Sequence, residues 1–298
     1  MPISGSSPLR LQATLFFGML LLSFSALSAG VKVVYPANQT ARDTRFNDLI
    51  EILDTALKAT VAEFGPYELT ASKDGMNEAR YLVELKKGED SVNVVWSSTS
   101  VEKEKDFLPL RIPLRKGILG YRVALIAKDK QALIDQAKTL DDLKKLQIGQ
   151  GLGWGDVKLY ESNGLTVTTA QYDNLFKMAD GGRFDLFPRG ISEAFNEYNT
   201  YSRSNPNLAI EKNLLIYYPW PYYFFFNHSD AKLKDRVEAG IRKMMKDGSF
   251  DAIFKKYNGA AIEKADLKHR RIIKVNNGML PKETPLNDAS LWFDPKKY

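Results

Sequence analysis

Residues 146–190 decide the fold: LQIGQGLGWGDVKLYESNGLTVTTAQYDNLFKMADGGRFDLFPRG. A short apolar strand enters a Gly-x-Gly-x-Gly turn at Gly151, Gly153 and Gly155, and the pattern then becomes helical. A second strand, a second helix and a third strand at 184–187 follow, the last opening onto Pro188-Arg189-Gly190 as a switch loop. Alternating elements of this kind make an α/β unit with two loops able to face a ligand. Glycine-freed amides and a helix N-terminus suit an anion, and Arg189 adds positive charge beside them.

Upstream, 31–35 reads as a strand, and Asp43 can cap a helix with apolar positions Phe46, Ile50, Leu53, Leu57, Val61 and Phe64. Those spacings of three and four predict one buried stripe, stopped by Gly65-Pro66. A strand at 67–70, a helix at 77–85 and a strand at 91–96 continue a β-α-β-α-β order, which predicts a parallel sheet. Tyr35 and Trp96 then end strands at the ligand edge of that sheet. Residues 121–127 form a strong strand, and Thr139 to Asp142 a capping box.

Downstream, 191–198 is helical and 214–226 is an aromatic strand region in which Tyr218, Trp220 and Tyr222 alternate. An amphipathic helix at 230–246 carries Leu233, Val237, Ile241 and Met244, and Ser249 caps a shorter one. The last thirty residues are polar and proline-spaced, with Trp292 and Phe293 expected to pin them to the surface. Two extended connections, near 107–120 and 208–224, flank the middle unit. The simplest assembly is two lobes and two hinge crossings: 30–118 with 217–298 as lobe I, and 119–216 as lobe II.

The ends and the composition bound the setting. Arg10 is the one charged residue ahead of an apolar run at 15–22, and small residues lead to Ala29. That is the pattern of a cleavable signal peptide over residues 1–29; an uncleaved anchor is the alternative, with an apolar core short for a span. The chain has no cysteine, so it folds without disulfides and lacks the residue a lipoprotein signal requires. These features place it free in the periplasm. Without Arg10, 41 basic and 36 acidic side chains remain, a net +5 spread along the chain. A nucleic-acid partner would want clustered charge, so none is expected. Two histidines and no cysteine predict no zinc site, and no cofactor is expected.

The chain resembles the type II periplasmic solute-binding proteins, in the polar-amino-acid branch of ABC transporter substrate-binding proteins. The residues that carry this are the β-α-β opening, Thr139-Leu140-Asp141-Asp142-Leu143 before the glycine loop, and Gly182-Arg183-Phe184-Asp185. Lys246-Asp247-Gly248-Ser249-Phe250 with Ile253-Phe254-Lys255-Lys256-Tyr257 is the fourth match. The resemblance implies a monomeric two-lobed α/β flytrap. It would capture a small polar ligand for an inner-membrane ABC permease or a sensor receptor. It also implies an arginine after the third strand gripping a carboxylate, and an acid after the Gly-Arg-x-Asp strand gripping an amine. Here the arginine slot reads Val101-Glu102-Lys103-Glu104-Lys105, and Arg189-Gly190 stands where the acid belongs, with Glu193 the nearest carboxylate.

An ammonium desolvated against Arg189 would be disfavoured, so the expected ligand is anionic (a dicarboxylate, a phosphorylated or sulfonated molecule, an acidic fragment) or amino-acid-like. The expected ligand-binding set is Arg189, Gly151, Gly153, Trp154, Trp96, Tyr35, Trp220 and Glu193. Each has a plainer reading: turn glycines, packed aromatics, and a surface pair between Arg189 and Glu193. Arg111, Arg115 and Arg122 are candidates to replace the missing arginine. No catalytic residue is expected. The alternatives are a dehydratase-like enzyme using Glu193 with Asp185 or Asp156, and an accessory protein with a vestigial cleft.

Overall fold

The computed structural model describes residues 1–2, 5, 30–38, 45–88 and 91–297. The expected leader core at 15–22 and the cap at Asp43 lie outside the described residues. The first part of the chain holds β1 (Val31–Ala37), α1 (Asn47–Lys58), α2 (Val61–Phe64) and β2 (Tyr67–Gly75). Next come α3 (Glu78–Lys87), β3 (Val95–Ser98), α4 (Val101–Asp106) and β4 (Leu108–Leu110). The middle begins with β5 (Tyr121–Ala127), α5 (Gln131–Ile134), α6 (Leu140–Leu143), β6 (Gln147–Gly151) and α7 (Gly155–Ser162). It continues through β7 (Thr166–Ala170), α8 (Tyr172–Asp180), β8 (Phe187–Gly190) and α9 (Ile191–Tyr201). The remainder is β9 (Leu208–Ile210), β10 (Leu214–Tyr217), β11 (Tyr222–Phe226), α10 (Ala231–Asp247), α11 (Ser249–Ala265) and β12 (Arg271–Lys274).

β1 and β2 pair in parallel, as the β-α-β reading requires. β3 departs from it, lying antiparallel to β11, which has β4 on its other side. Its link to β1 is the run just before it. The Asn93 and Val94 amides donate to Val34 O, while the Asn93 side chain accepts from Val34 N and donates to Lys32 O. Phe224, Phe225 and Phe226 of β11 are all fully buried, which is why an uninterrupted aromatic run suits a strand covered on both faces. The aromatic region is two strands in two sheets, because Pro219 and Pro221 lack the N–H groups a continuous ladder needs.

In the middle, β5 is the spine of a sheet ordered β12-β10-β5-β8, with β9 also on β5. The segment 188–190, expected as a loop, is strand: Pro188, Arg189 and Gly190 face Ala124, Val123 and Arg122 across an antiparallel ladder. Proline inside the run hid this strand in the sequence. β6 and β7 pair in parallel, and Leu186 bridges Ile148, completing the α/β unit around the glycine turn. The Thr139 capping box forms as expected, with the hydroxyl accepting from Asp142 N and the carboxylate from Thr139 N.

Two main cores result. One gathers Leu49, Leu53 and Leu57 of α1, Trp96, β11, and Val237, Ile241 and Met244 of α10. The other gathers Ile126, Ile148, Leu159, Tyr160, Leu186, Ile216 and Tyr218. A seam containing Tyr121, Val123, Leu215, Phe254 and Phe293 lies where β5 and β10 pass. The expected partition put all of 217–298 with the first core, yet β12 pairs with β10 in the middle sheet.

The first helix does not run through to Phe64. It stops after Lys58, where the buried Thr60 hydroxyl donates to Ala56 O and Leu57 O. Val61 and Phe64 are left exposed, outside the buried stripe predicted for them. Beside this break α10 comes close enough that a Cβ at Gly240 would lie 2.2 Å from Ala56 O. Gly240→Ala should therefore destabilise by about 1–3 kcal/mol, although alanine has the better helix propensity. An unchanged or raised urea midpoint would show that the helices separate freely.

Candidate functional site

β5 and β8 present two arginines on neighbouring rungs, Arg122 opposite Gly190 and Arg189 opposite Val123. The pleat sends them to opposite faces. Arg189 lies over the Trp154 ring, 4.5 Å from its centroid, and Arg122 over Tyr218 at 5.3 Å. Both are buried, so each needs a carboxylate. Arg189 donates from Nε and Nη2 to the two oxygens of Glu197, both at 2.7 Å, and Tyr172 donates to the same carboxylate at 2.9 Å. Arg122 pairs with Asp156 at 2.9 Å, and Asp156 also accepts a very short bond from the Tyr218 hydroxyl.

Glu193 joins the two pairs. Its Oε2 accepts from Gly190 N at 2.9 Å and lies 3.3 Å from Arg189 and 3.8 Å from Arg122. Its side chain is 43% exposed, against 11% for Glu197 and 13% for Asp156, so it is the carboxylate of the cluster that meets solvent. Burial opposes the charge on Arg189, but Glu193 and Glu197 outweigh it and hold the guanidinium above its ordinary pKa. Burial likewise opposes Arg122, and Asp156 prevails with Glu193 assisting. The Tyr218 phenol is pushed up by burial and stays neutral.

The predicted residues divide accordingly. A Cβ at Gly151 would lie 2.1 Å from the Trp154 ring, so this glycine admits the indole; Gly153 has φ +80° with open space around it. Trp154 packs near Tyr172 and Phe187 and serves Arg189 as a wall. Trp220 approaches Gly155 at the start of α7 and meets Tyr218 edge-on. Trp96 is 1% exposed inside the first core, between Tyr35 and Phe46. Arg189, Glu193 and Trp154 thus come together, Trp220 lies at the adjoining α7 end, and Trp96 with Tyr35 is in the other core. Asp185, considered as an acid or base, is held by Lys130 and by Gln147 N.

The first part of the chain contributes a second cluster. Arg115 donates to both oxygens of Asp48, at 2.5 and 2.7 Å, and stacks over Tyr222. Burial opposes its charge, Asp48 overcomes this, and Glu193 adds to the field from the other cluster. In the expected arginine slot Lys103 donates to Glu78, Ser97 Oγ and Ser98 O. Arg111 is paired with Glu104. The sequence reading missed Glu197: Glu193 and Glu197 lie four residues apart on α9, the spacing of side chains that meet along a helix, while Arg189 reaches them from β8.

No protein-family model and no curated protein matches the chain. Solved structures do. Among them is the probable amino-acid ABC transporter extracellular-binding protein YtmK from Bacillus subtilis, at 19% identity and a TM-score of 0.54. That match covers 78% of this chain and 100% of the other. YckB from Bacillus subtilis gives 17% identity and a TM-score of 0.52, over 76% of this chain and 89% of that one. A protein from a study of glutathione import through GshT and TcyBC in Streptococcus mutans gives 15% and 0.51, over 78% and 96%. The chain has the two-lobed type II binding-protein fold.

Proposed function

We propose that this protein is a non-catalytic solute-binding protein. Its interlobe cleft takes a small polar, amino-acid-like ligand, and an exported, closed form delivers it to a membrane permease or sensor. The observation that carries the reading is the pairing of Arg189 with Glu197. The charge expected to repel an ammonium is neutralised inside its own lobe, and Glu193 is the carboxylate left facing the cleft. Arg115 is matched in the same two-pronged way by Asp48, and Arg122 pairs with one oxygen of Asp156. A dianion would meet no uncompensated cation at these three arginines, which favours a ligand of little net charge over the dicarboxylates and phosphates first considered.

The lobes in this proposal are 30–118 with 222–265, and 119–217 with 271–274, so that β12 moves with the sheet it extends. Asp156 is a fixed charge partner here rather than an acid or base, because Arg122 and Tyr218 both hold it.

A thermal-shift series with glutamine, arginine, succinate and inorganic phosphate tests the reading, since a ligand of the native state must raise the melting temperature. At least one amino acid should stabilise the protein and succinate should not. Glu193→Gln should weaken that amino acid about 10–100-fold, the worth of one charged hydrogen bond. Stabilisation by succinate or phosphate alone would sink the proposal.

A further inference from the structure

The C-terminal segment after β12 runs over both hinge crossings and is bonded to each lobe on the way. Its first anchors are on the middle lobe and the second crossing. Val275 N donates to Tyr217 O at 2.8 Å. The Asn163 side chain, at the end of α7, holds Asn276 at both backbone groups, accepting from N at 3.1 Å and donating to O at 2.7 Å. The buried Asn277 donates to Pro219 O at 2.9 Å, and Met279 packs on the middle-lobe core.

The far anchors are on the first crossing and the other core. Leu291 and Trp292 belong to the first-lobe core, and the indole lies so near Gly117 that a Cβ there would be 2.5 Å from the ring. Phe293 N donates to Lys116 O at 2.8 Å, and Tyr121 donates to Phe293 O at 2.9 Å. Between the anchors a hollow of about 1010 Å³, lined by Tyr121, Tyr217, Pro219, Lys274, Trp292 and Lys296, separates the segment from the hinge. Between its ends the segment touches down at the buried Pro281 and Thr284, and residues 286–290 are exposed.

We infer that residues 275–293 form a strap that sets how far the lobes can swing. Lobe motion turns a few hinge residues while each lobe stays rigid. A chain fixed to α7 on one side and to the first-lobe core on the other must change its span when the lobes rotate. With buried side chains at one end and side-chain-to-backbone bonds at the other, the weaker end is Asn163–Asn276 and Asn277–Pro219. The strap resists opening until those bonds release. This goes beyond ligand identity and rests only on the two-lobed fold.

The absence of native cysteine allows a direct test. Val83→Cys on α3 and Lys177→Cys on α8, both exposed positions on different lobes, carry spin labels for pulsed distance measurement in the ligand-free full chain. Adding Asn163→Ala and Asn277→Ala should broaden the interlobe distance distribution and extend it toward longer distances. Hydrogen exchange should show faster amides at 275–279 with the helices still protected. An unchanged distribution in a variant whose 275–279 amides exchange freely would overturn the strap. If the double variant unfolds, Asn163→Ala alone serves, because its side chain is half-buried at a helix end; the same two outcomes then decide. A disulfide between Asn163→Cys and Asn276→Cys, in a chain labelled through other chemistry, should narrow the distribution, and no narrowing again counts against the strap.

Discussion

Arg189→Ala is expected to lower the unfolding free energy by about 3–5 kcal/mol at neutral pH, whatever it does to ligand binding. Glu197 is buried and takes both of its cationic hydrogen bonds from Arg189. Removing the guanidinium leaves that carboxylate with the Tyr172 hydroxyl alone and uncovers the Trp154 ring. A buried, unpaired carboxylate has its folded-state pKa raised, so its cost appears above the unfolded value and grows as pH rises. The deficit against the parent protein should accordingly be smaller at pH 4.5 than at pH 7, read from urea midpoints with a constant slope. Arg189→Met combined with Glu197→Gln should recover most of the loss, since no charge is then stranded. A deficit under about 1 kcal/mol at both pH values would mean the pair behaves as a solvated surface bridge. The same logic governs binding assays: a weaker ligand response in Arg189→Ala reports a contact only if the charge-neutral double variant shares it.

Glu211→Ala should be of similar size, about 3–5 kcal/mol, and local to another joint. This carboxylate is completely buried between β9 and β10. It accepts from Gln131 Nε2 at 2.8 Å, Asn213 N at 2.8 Å, Leu214 N at 2.6 Å and Arg270 Nη1 at 3.1 Å. Alanine would strand two backbone amides and leave without its carboxylate a guanidinium that burial already holds below its ordinary pKa. Glu211→Gln keeps an oxygen acceptor and loses the charge, so it should fall between alanine and the parent. Because Arg270 leads directly into β12, amides at 270–274 and 213–214 should gain hydrogen exchange before the rest of the middle sheet. Uniform exchange across the sheet would mean that Glu211 stabilises the fold globally and does not fix this joint.

Much of the fold was legible because the signals were local. The Thr139 capping box, the glycine turn before α7 and the apolar face of α10 each depend on residues within a turn or two of one another. The failures have equally specific causes. Pro188 made a strand at the end of the middle sheet read as a loop. Thr60 ended α1 through hydroxyl bonds that periodicity does not register. Pro219 and Pro221 divided one aromatic run between two sheets. At the site, the sequence supplied Arg189, Glu193 and Trp154 as a group without the carboxylate that holds Arg189. Its partner, Glu197, stands on α9 while the arginine is on β8, so the period of neither element encodes the pairing.

The sequence by itself determined the α/β architecture, the glycine-led turn and the resemblance to two-lobed binding proteins. All of these follow from hydrophobic period, capping and chain order. The tertiary structure decided where the charges go. Whether an arginine serves a ligand or a neighbouring carboxylate depends on which acids are brought within about 3 Å of it in a low-dielectric site. Arg115 with Asp48, Arg122 with Asp156 and Arg270 with Glu211 are separated by 67, 34 and 59 residues in the chain. No local pattern encodes such pairings, and neither does any local pattern reveal that the C-terminal segment crosses both hinges.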